Sequence, residues 1–209
     1  QVEVASSSGQ TATFPVRPAS GGRTPCYLFE VDDDPPLDNG SVTYRVIMSR
    51  ADRNSLQSRA VESNVLLNAT FIGDGEVHHM VGIRYRGETS RSWTRKCYRI
   101  EFPPECKFQG MEVLHINGTM DIGGILRSSV NDLVAADLFR RAGIPYPAEW
   151  PVNLHFQGGV AADIAGRRNV NPYYVRKEHF DRHFLTRYFG GSDGGNLYRG
   201  VDPQSGVGT

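Results

Sequence analysis

The stretch that decides the fold is Glu76-Val-His-His-Met-Val-Gly-Ile-Arg-Tyr-Arg86. Apolar and polar residues alternate along it, which places Val77, His79, Val81, Ile83 and Tyr85 on one face of an extended strand. Gly73-Asp74-Gly75 stands immediately before it as a turn, and Asn64 to Ile72 reads as the partner strand. Outward from this hairpin the same period continues. Val42, Tyr44, Val46 and Met48 alternate with polar residues. Lys96, Tyr98, Ile100 and Phe102 alternate until Pro103-Pro104 stops them. Residues 111–117, Pro151 to Phe156, Tyr173 to Val175 and Asn196 to Arg199 supply further short strands.

Two segments switch to helical spacing. Leu126, Val130, Leu133, Val134 and Leu138 recur along Ile122 to Ala142, which Gly143 and Pro145 end. Lys177 to Phe189 reads as a second helix closed by Gly190-Gly191. Residues 50–63 are polar and read as a short helix. The predicted class is α+β, a mostly antiparallel sheet with two main helices. Residues 1–40, rich in Ser, Gly, Thr and Pro, read as a linker or extended arm. Residues 41–200 read as the folded domain and 201–209 as a flexible tail.

Composition bounds the function. The 209 residues carry 23 Lys plus Arg and 23 Asp plus Glu, a formal net charge of zero, so no global charge recruits nucleic acid. No apolar run approaches the roughly 18 residues of a membrane span. Asp32-Asp33-Asp34-Pro35-Pro36 lacks the ligand spacing of a calcium loop and reads as a turn. Asn39, Asn68 and Asn117 head glycosylation sequons, which act only in a eukaryotic secretory pathway. Cys26, Cys97 and Cys106 fit no zinc spacing. In an oxidising compartment Cys97 and Cys106 are the favoured internal pair, and three reduced thiols are the alternative.

Three clusters carry candidate chemistry. The densest is Arg84-Tyr-Arg-Gly-Glu-Thr-Ser-Arg-Ser-Trp-Thr-Arg-Lys96, whose guanidinium forks, Lys and Gly/Ser backbone donors suit a phosphate, with Trp93 or Tyr98 available to stack on a base. The competing reading is a solvated basic hairpin paired with Glu88 and Glu101. In the second cluster His179 and His183, four apart, share a helix face beside Glu178. That is a metal-capable spacing without an obvious third ligand, and surface histidines are the plainer reading. In the third, Asp121 reads as a helix cap near Arg127 and Asn131.

In order along the chain, five segments resemble the CotH kinase family. They are Val81-Gly-Ile-Arg-Tyr-Arg-Gly-Glu-Thr-Ser-Arg-Ser-Trp93, Arg95-Lys-Cys-Tyr-Arg-Ile-Glu-Phe102, Asp137-Leu-Phe-Arg-Arg-Ala-Gly-Ile-Pro145, Tyr174-Val-Arg-Lys-Glu-His-Phe-Asp-Arg-His-Phe-Leu185 and Asp193-Gly-Gly-Asn-Leu-Tyr-Arg199. The resemblance implies the first part of an atypical protein-kinase-like fold. It also implies ATP with a divalent metal such as Mg2+, and phosphorylation of Ser/Thr on coat or surface proteins at an extracellular or spore-surface location. By position it casts Lys96 as the strand lysine on the ATP phosphates, Arg84 and Arg86 as flanking groups, and Glu178 as part of the nucleotide site or a partner of Lys96. The chain departs from the family pattern at Glu88, at Lys96-Cys97 and in the polar insert 160–171. The family's catalytic acids and metal ligands are expected beyond Asn196-Leu-Tyr198, so the resemblance names no catalytic residue here. Fold alone leaves a second reading open, a non-catalytic adhesive or coat-building module. A carbohydrate-binding β-domain is a third reading, which needs an exposed aromatic platform.

Overall fold

The computed structural model of the chain describes residues 2–5, 11–14, 40–93, 95–118, 121–122, 125–126, 128–156, 170–190 and 197–198. Its strands are β1 (Val2–Ala5), β2 (Thr11–Phe14), β3 (Val42–Ile47), β4 (Leu67–Gly73), β5 (Glu76–Tyr85), β6 (Tyr98–Glu101), β7 (Val113–Asn117), β8 (Asp121–Ile122), β9 (Ile125–Leu126), β10 (Glu149–Phe156) and β11 (Val170–Glu178). The helices are α1 (Arg50–Ser58), α2 (Ser128–Arg141) and α3 (Arg182–Phe189). β1 pairs with β2, and β8 with β9, as small separate ribbons. Asp32–Asp34, Cys26, Asn39, Arg127, the insert from 160 to 169 and the tail lie outside the described residues.

The remaining seven strands form a closed barrel in the order β10-β11-β7-β6-β5-β4-β3. This overturns the expected α+β class with two main helices on a kinase-like sheet. The physical reason is that residue alternation is the same in an open sheet and a closed one, so periodicity cannot report closure. Closure comes from one long-range seam. β10 runs parallel to β3, with Val152 opposite Val42 and Phe156 opposite Val46, while every other barrel pairing is antiparallel. The seam leaves the barrel no unpaired edge.

The inward faces fill the interior with side chains. Tyr44, Phe71, Ile83, Tyr98, Ile100, Phe108, Leu114, Ile116, Phe156 and Tyr174 are all buried in one cluster. Phe71, Phe102 and Phe108 meet edge-on or stacked at 5.1–5.5 Å between ring centres and close one end. The β4–β5 loop is a two-residue turn with positive φ at Asp74 (50°) and Gly75 (82°), which is what tight hairpins demand.

One irregularity changes which residues face inward. Ala69 stands opposite Val81, but Phe71 stands opposite His78, so β5 carries one extra residue. Met80 takes it up with φ 58°. Strict alternation puts His79 inside; the bulge instead buries His78 at 3% exposure and leaves His79 half-buried, within 3.2 Å of the Thr70 hydroxyl. A second bulge lies on β11 between its pairings to Val152 and Leu154, at a stretch containing Pro172, which cannot donate to the ladder.

The helices are set by local signals. Ser49 caps α1 by accepting from the Asp52 amide at 3.0 Å, and α1 buries Leu56. α2 packs on β10 and β11. Beyond its C-terminus, Gly143 has φ 69°, its amide donates to Arg140 O, and the Ile144 amide reaches back to Phe139 O at 2.9 Å, a Schellman closure. Asp181 caps α3 through the amides of His183 and Phe184. β11 therefore extends to Glu178 and α3 starts four residues later, so the expected helix from Lys177 is corrected. Asp121 lies in β8 rather than at a helix cap.

A candidate anion site on the outer face of the barrel

Strand register sorts the basic residues of the 84–96 segment by face. Arg84 stands opposite Arg99, Arg99 opposite His115, His115 opposite Lys177, and Lys177 opposite Glu149. These five form one continuous row across β5, β6, β7, β11 and β10 on the outer face, because their neighbours Tyr85, Tyr98, Ile116 and Tyr174 point into the core. Arg86, whose amide donates to Cys97 O at 2.9 Å, lies just past the end of β5, two residues beyond Arg84.

Polar partners within the row hold some of these charges. Arg99 Nε donates to Glu101 Oε1 at 2.6 Å, Arg86 Nη1 donates to Asn117 Oδ1, and Lys177 Nζ pairs with the fully buried Glu149 carboxylate at 2.5 Å. Arg84 differs. Its Nη1 donates to Tyr85 O at 3.0 Å, and among the described residues the carboxylate that acts on it, Glu101, does so electrostatically rather than as a hydrogen-bonded ion pair. Burial and then the neighbouring Arg99 and Arg91 push its guanidinium below the ordinary value. Burial, followed by Arg86, His179, Arg99 and Lys177, pushes the His115 imidazole far below its ordinary range. His179 lies edge-on to His115 at 4.7 Å and is pushed the same way, first by burial and then by Arg99. Burial works against the Lys177 ammonium, but Glu149 outweighs it and the net direction is upward. The Arg84–Arg86–Arg99 end of the face thus carries an excess of positive charge that disfavours protonation of both imidazoles, while Glu101 and Glu149 offset part of it.

Lys96 falls on the other side. It shares strand parity with Tyr98 and points inward, with Nζ 5.5 Å from the Tyr85 ring centre and donating to Arg91 O at 2.7 Å. Glu178 sits at the opposite end. It stands opposite Leu114, itself opposite Ile100, so Lys96 lies four residues away along the strand direction, about 13 Å. Glu178 is 3% exposed and accepts from the Ala148 amide at 3.0 Å and from Arg187 Nε at 3.1 Å and Nη2, with His183 Nε2 at 3.7 Å. The structure brings Arg84 and Arg86 together and does not bring Lys96 to Glu178.

The other basic residues of the segment are partly structural. Arg91 donates to Gly87 O, Glu62 O and Asn64 Oδ1, tying the loop after β5 to the turn before β4. Gly87 has φ 98°, a conformation that favours glycine, and a Cβ there would also force the Ser90 hydroxyl to rotate away. Thr94 lies outside the described residues. His179 precedes α3, so His179 and His183 do not share a helix face. Among the described residues no three His, Cys, Asp or Glu side chains are placed to hold a metal ion.

Cys97 and Cys106 are both free. Cys97 is buried, and burial pushes its thiol up. The length of β6 separates it from Cys106, far beyond the 7 Å that a disulfide tolerates between Cα atoms. Sequence reasoning missed Arg99, His115 and Lys177 as members of the site. The signal for them was parity: each takes the polar position of an alternating or apolar strand.

The family model for CotH kinase protein matches residues 83–206, more than half of the chain. A search of curated proteins gives no match.

Proposed function

Because the chain belongs to the CotH kinase protein family, we propose that it binds the phosphates of ATP on the outer face of the barrel and serves phosphoryl transfer to Ser/Thr of a coat or surface protein. The single observation that carries this reading is Arg84, a half-buried guanidinium with no carboxylate in ion-pair contact among the described residues, set in the shared field of Arg86, Arg91 and Arg99, which Glu101 only partly offsets. A guanidinium in such a field gains from an anion that neutralises it, and its planar fork matches two phosphate oxygens.

In this proposal Arg84 and Arg86 contact phosphate. Lys96 supports them from the inner face by holding the Arg91 carbonyl and hence the loop between β5 and β6. Glu178 anchors α3 at the far end of the row. A divalent metal would bridge phosphates and neutralise charge when bound. The described residues offer it no ligand set, so its site is not assigned to them. Extracellular or spore-surface placement belongs to the same proposal.

Thermal denaturation with ATP and Mg2+ tests it. Ligand at 100 times its dissociation constant adds about 2.7 kcal/mol to stability, which is a readily measured rise in Tm. Inorganic triphosphate is expected to reproduce most of the shift if the phosphates carry the binding. An unchanged Tm with saturating ATP would overturn the reading. The structural-module reading is favoured by a different observation, the exposed Val134, Leu138 and Ile144 on and after α2. Self-association in sedimentation, without any nucleotide response, would support it instead.

A further inference from the structure

At the end of the barrel away from Arg86, three reactive side chains stand in series. Cys106 is exposed on the turn closed by its own amide donating to Pro103 O at 2.9 Å. Its Sγ lies 3.5 Å from His78 Nδ1. The other ring nitrogen, His78 Nε2, lies 2.9 Å from Glu76 Oε2. The imidazole is 3% exposed and is held in orientation by Phe71, Phe102 and Phe108, at 6.4, 5.1 and 5.5 Å between ring centres. The bulge at Met80 is what turns His78 toward Cys106, so the arrangement is built by the backbone and not by a chance rotamer.

The order is nucleophile, base, orienting carboxylate. Donors that hold a metal converge on a point, whereas these run in a line through the ring. A carboxylate only accepts, so the Nε2 facing Glu76 carries a hydrogen, and Nδ1 offers its lone pair to the thiol. Nδ1 also faces the Cys106 carbonyl at 3.2 Å. Once the thiol proton has moved to Nδ1, that N–H donates to both the thiolate and the carbonyl, so the ionised pair satisfies every polar atom of the trio. The neutral pair leaves the carbonyl facing a lone pair.

We propose that Cys106 is a nucleophilic thiol built for exchange with disulfides, with His78 as its base and Glu76 as the residue that positions the base. The Sγ–H proton passes to His78 Nδ1. The thiolate attacks one sulfur of a disulfide R–S–S–R, a Cys106–S–S–R bond forms, and the original S–S bond breaks. The departing RS⁻ takes the proton back from His78 as RSH. Cys106 is oxidised and the other thiol reduced, so electrons balance without a further reagent. The site stands apart from the basic row and does not rest on nucleotide binding.

The probe is oxidised glutathione, added to the whole chain near neutral pH. Mass gain is followed in time, and peptide mapping separates Cys106 from Cys26 and Cys97. The reference is a short peptide with the sequence Pro103-Pro-Glu-Cys-Lys-Phe108. Cys106 in the folded chain is expected to react about tenfold faster than the peptide. His78→Gln should bring the rate down to that of the peptide. Glu76→Gln, a change at a half-exposed side chain that leaves the core alone, should lower the rate several-fold. It should also steepen its rise between about pH 6 and about pH 8. Equal rates for folded chain and peptide would overturn the proposal. So would full wild-type reactivity in His78→Gln. Should His78→Gln not fold, a pH profile of Glu76→Gln that superimposes on wild type overturns it equally.

Discussion

Arg84 and Gly87 lie three residues apart and illustrate two different demands on a side chain. Arg84 is set among like charges, so its contribution depends on what it meets from solvent. Arg84→Ala is expected to weaken ATP binding about tenfold, or roughly 1.4 kcal/mol, while stability changes little. Lys96→Ala should cost less affinity, because Lys96 reaches the loop rather than the outer face. Gly87 has no such latitude. Gly87→Ala should destabilise the chain by about 1–2 kcal/mol in urea melts, through a φ of 98° and the clash with Ser90. His115 sets the response to acid. Its folded value lies below the unfolded one, so the unfolded chain binds the extra proton and stability rises with pH. The contribution of His115 is fully present above about pH 6.5 and is lost as pH falls, at up to about 1.4 kcal/mol per pH unit. Urea melts at descending pH should show this slope, and His115→Gln should flatten it.

At the scale of elements, strands were readable and their limits less so. Val42 to Met48, Asn64 to Ile72 and Lys96 to Phe102 each overlap an observed strand, because half-buried strands write their period into the sequence. The end of α2 was readable from Gly143. The start of α3 was not, because Lys177 and Glu178 look helical beside His179 but are drawn into β11 by pairing with His115 and Leu114. Long-range pairing overrode local propensity there. The bulge at Met80 was invisible for a related reason, since one extra residue leaves no mark on composition. The resemblance casts Glu178 as part of the nucleotide site or a partner of Lys96, whereas its side-chain partner is Arg187, at the join between β11 and α3. Arg187→Ala strands a buried carboxylate and is expected to cost about 2 kcal/mol, less than the loss of a fully buried pair because Arg187 is more than a third exposed. Chemical denaturation of that variant measures it.

For the whole molecule, closure is the property the sequence concealed and the one on which the site depends. The outer row spans five strands from Arg84 to Glu149, so it exists only if β5, β6, β7, β11 and β10 keep one register. The parallel seam between β3 and β10 locks that register from the far side. Amides in the seam strands should therefore exchange with solvent as slowly as those of β5 and β6, whereas an open sheet would show its terminal strands exchanging faster. The basic segment itself was legible from 84 to 96, but its partition between two faces was not, because parity becomes meaningful only once an inside exists. The most direct test of the central claim is a calorimetric titration of ATP into the wild-type chain and into Arg84→Ala and Lys96→Ala. Measurable wild-type affinity, with the larger loss in Arg84→Ala, is the predicted result. Binding that survives Arg84→Ala at wild-type strength, or no binding by the wild-type chain, would contradict it.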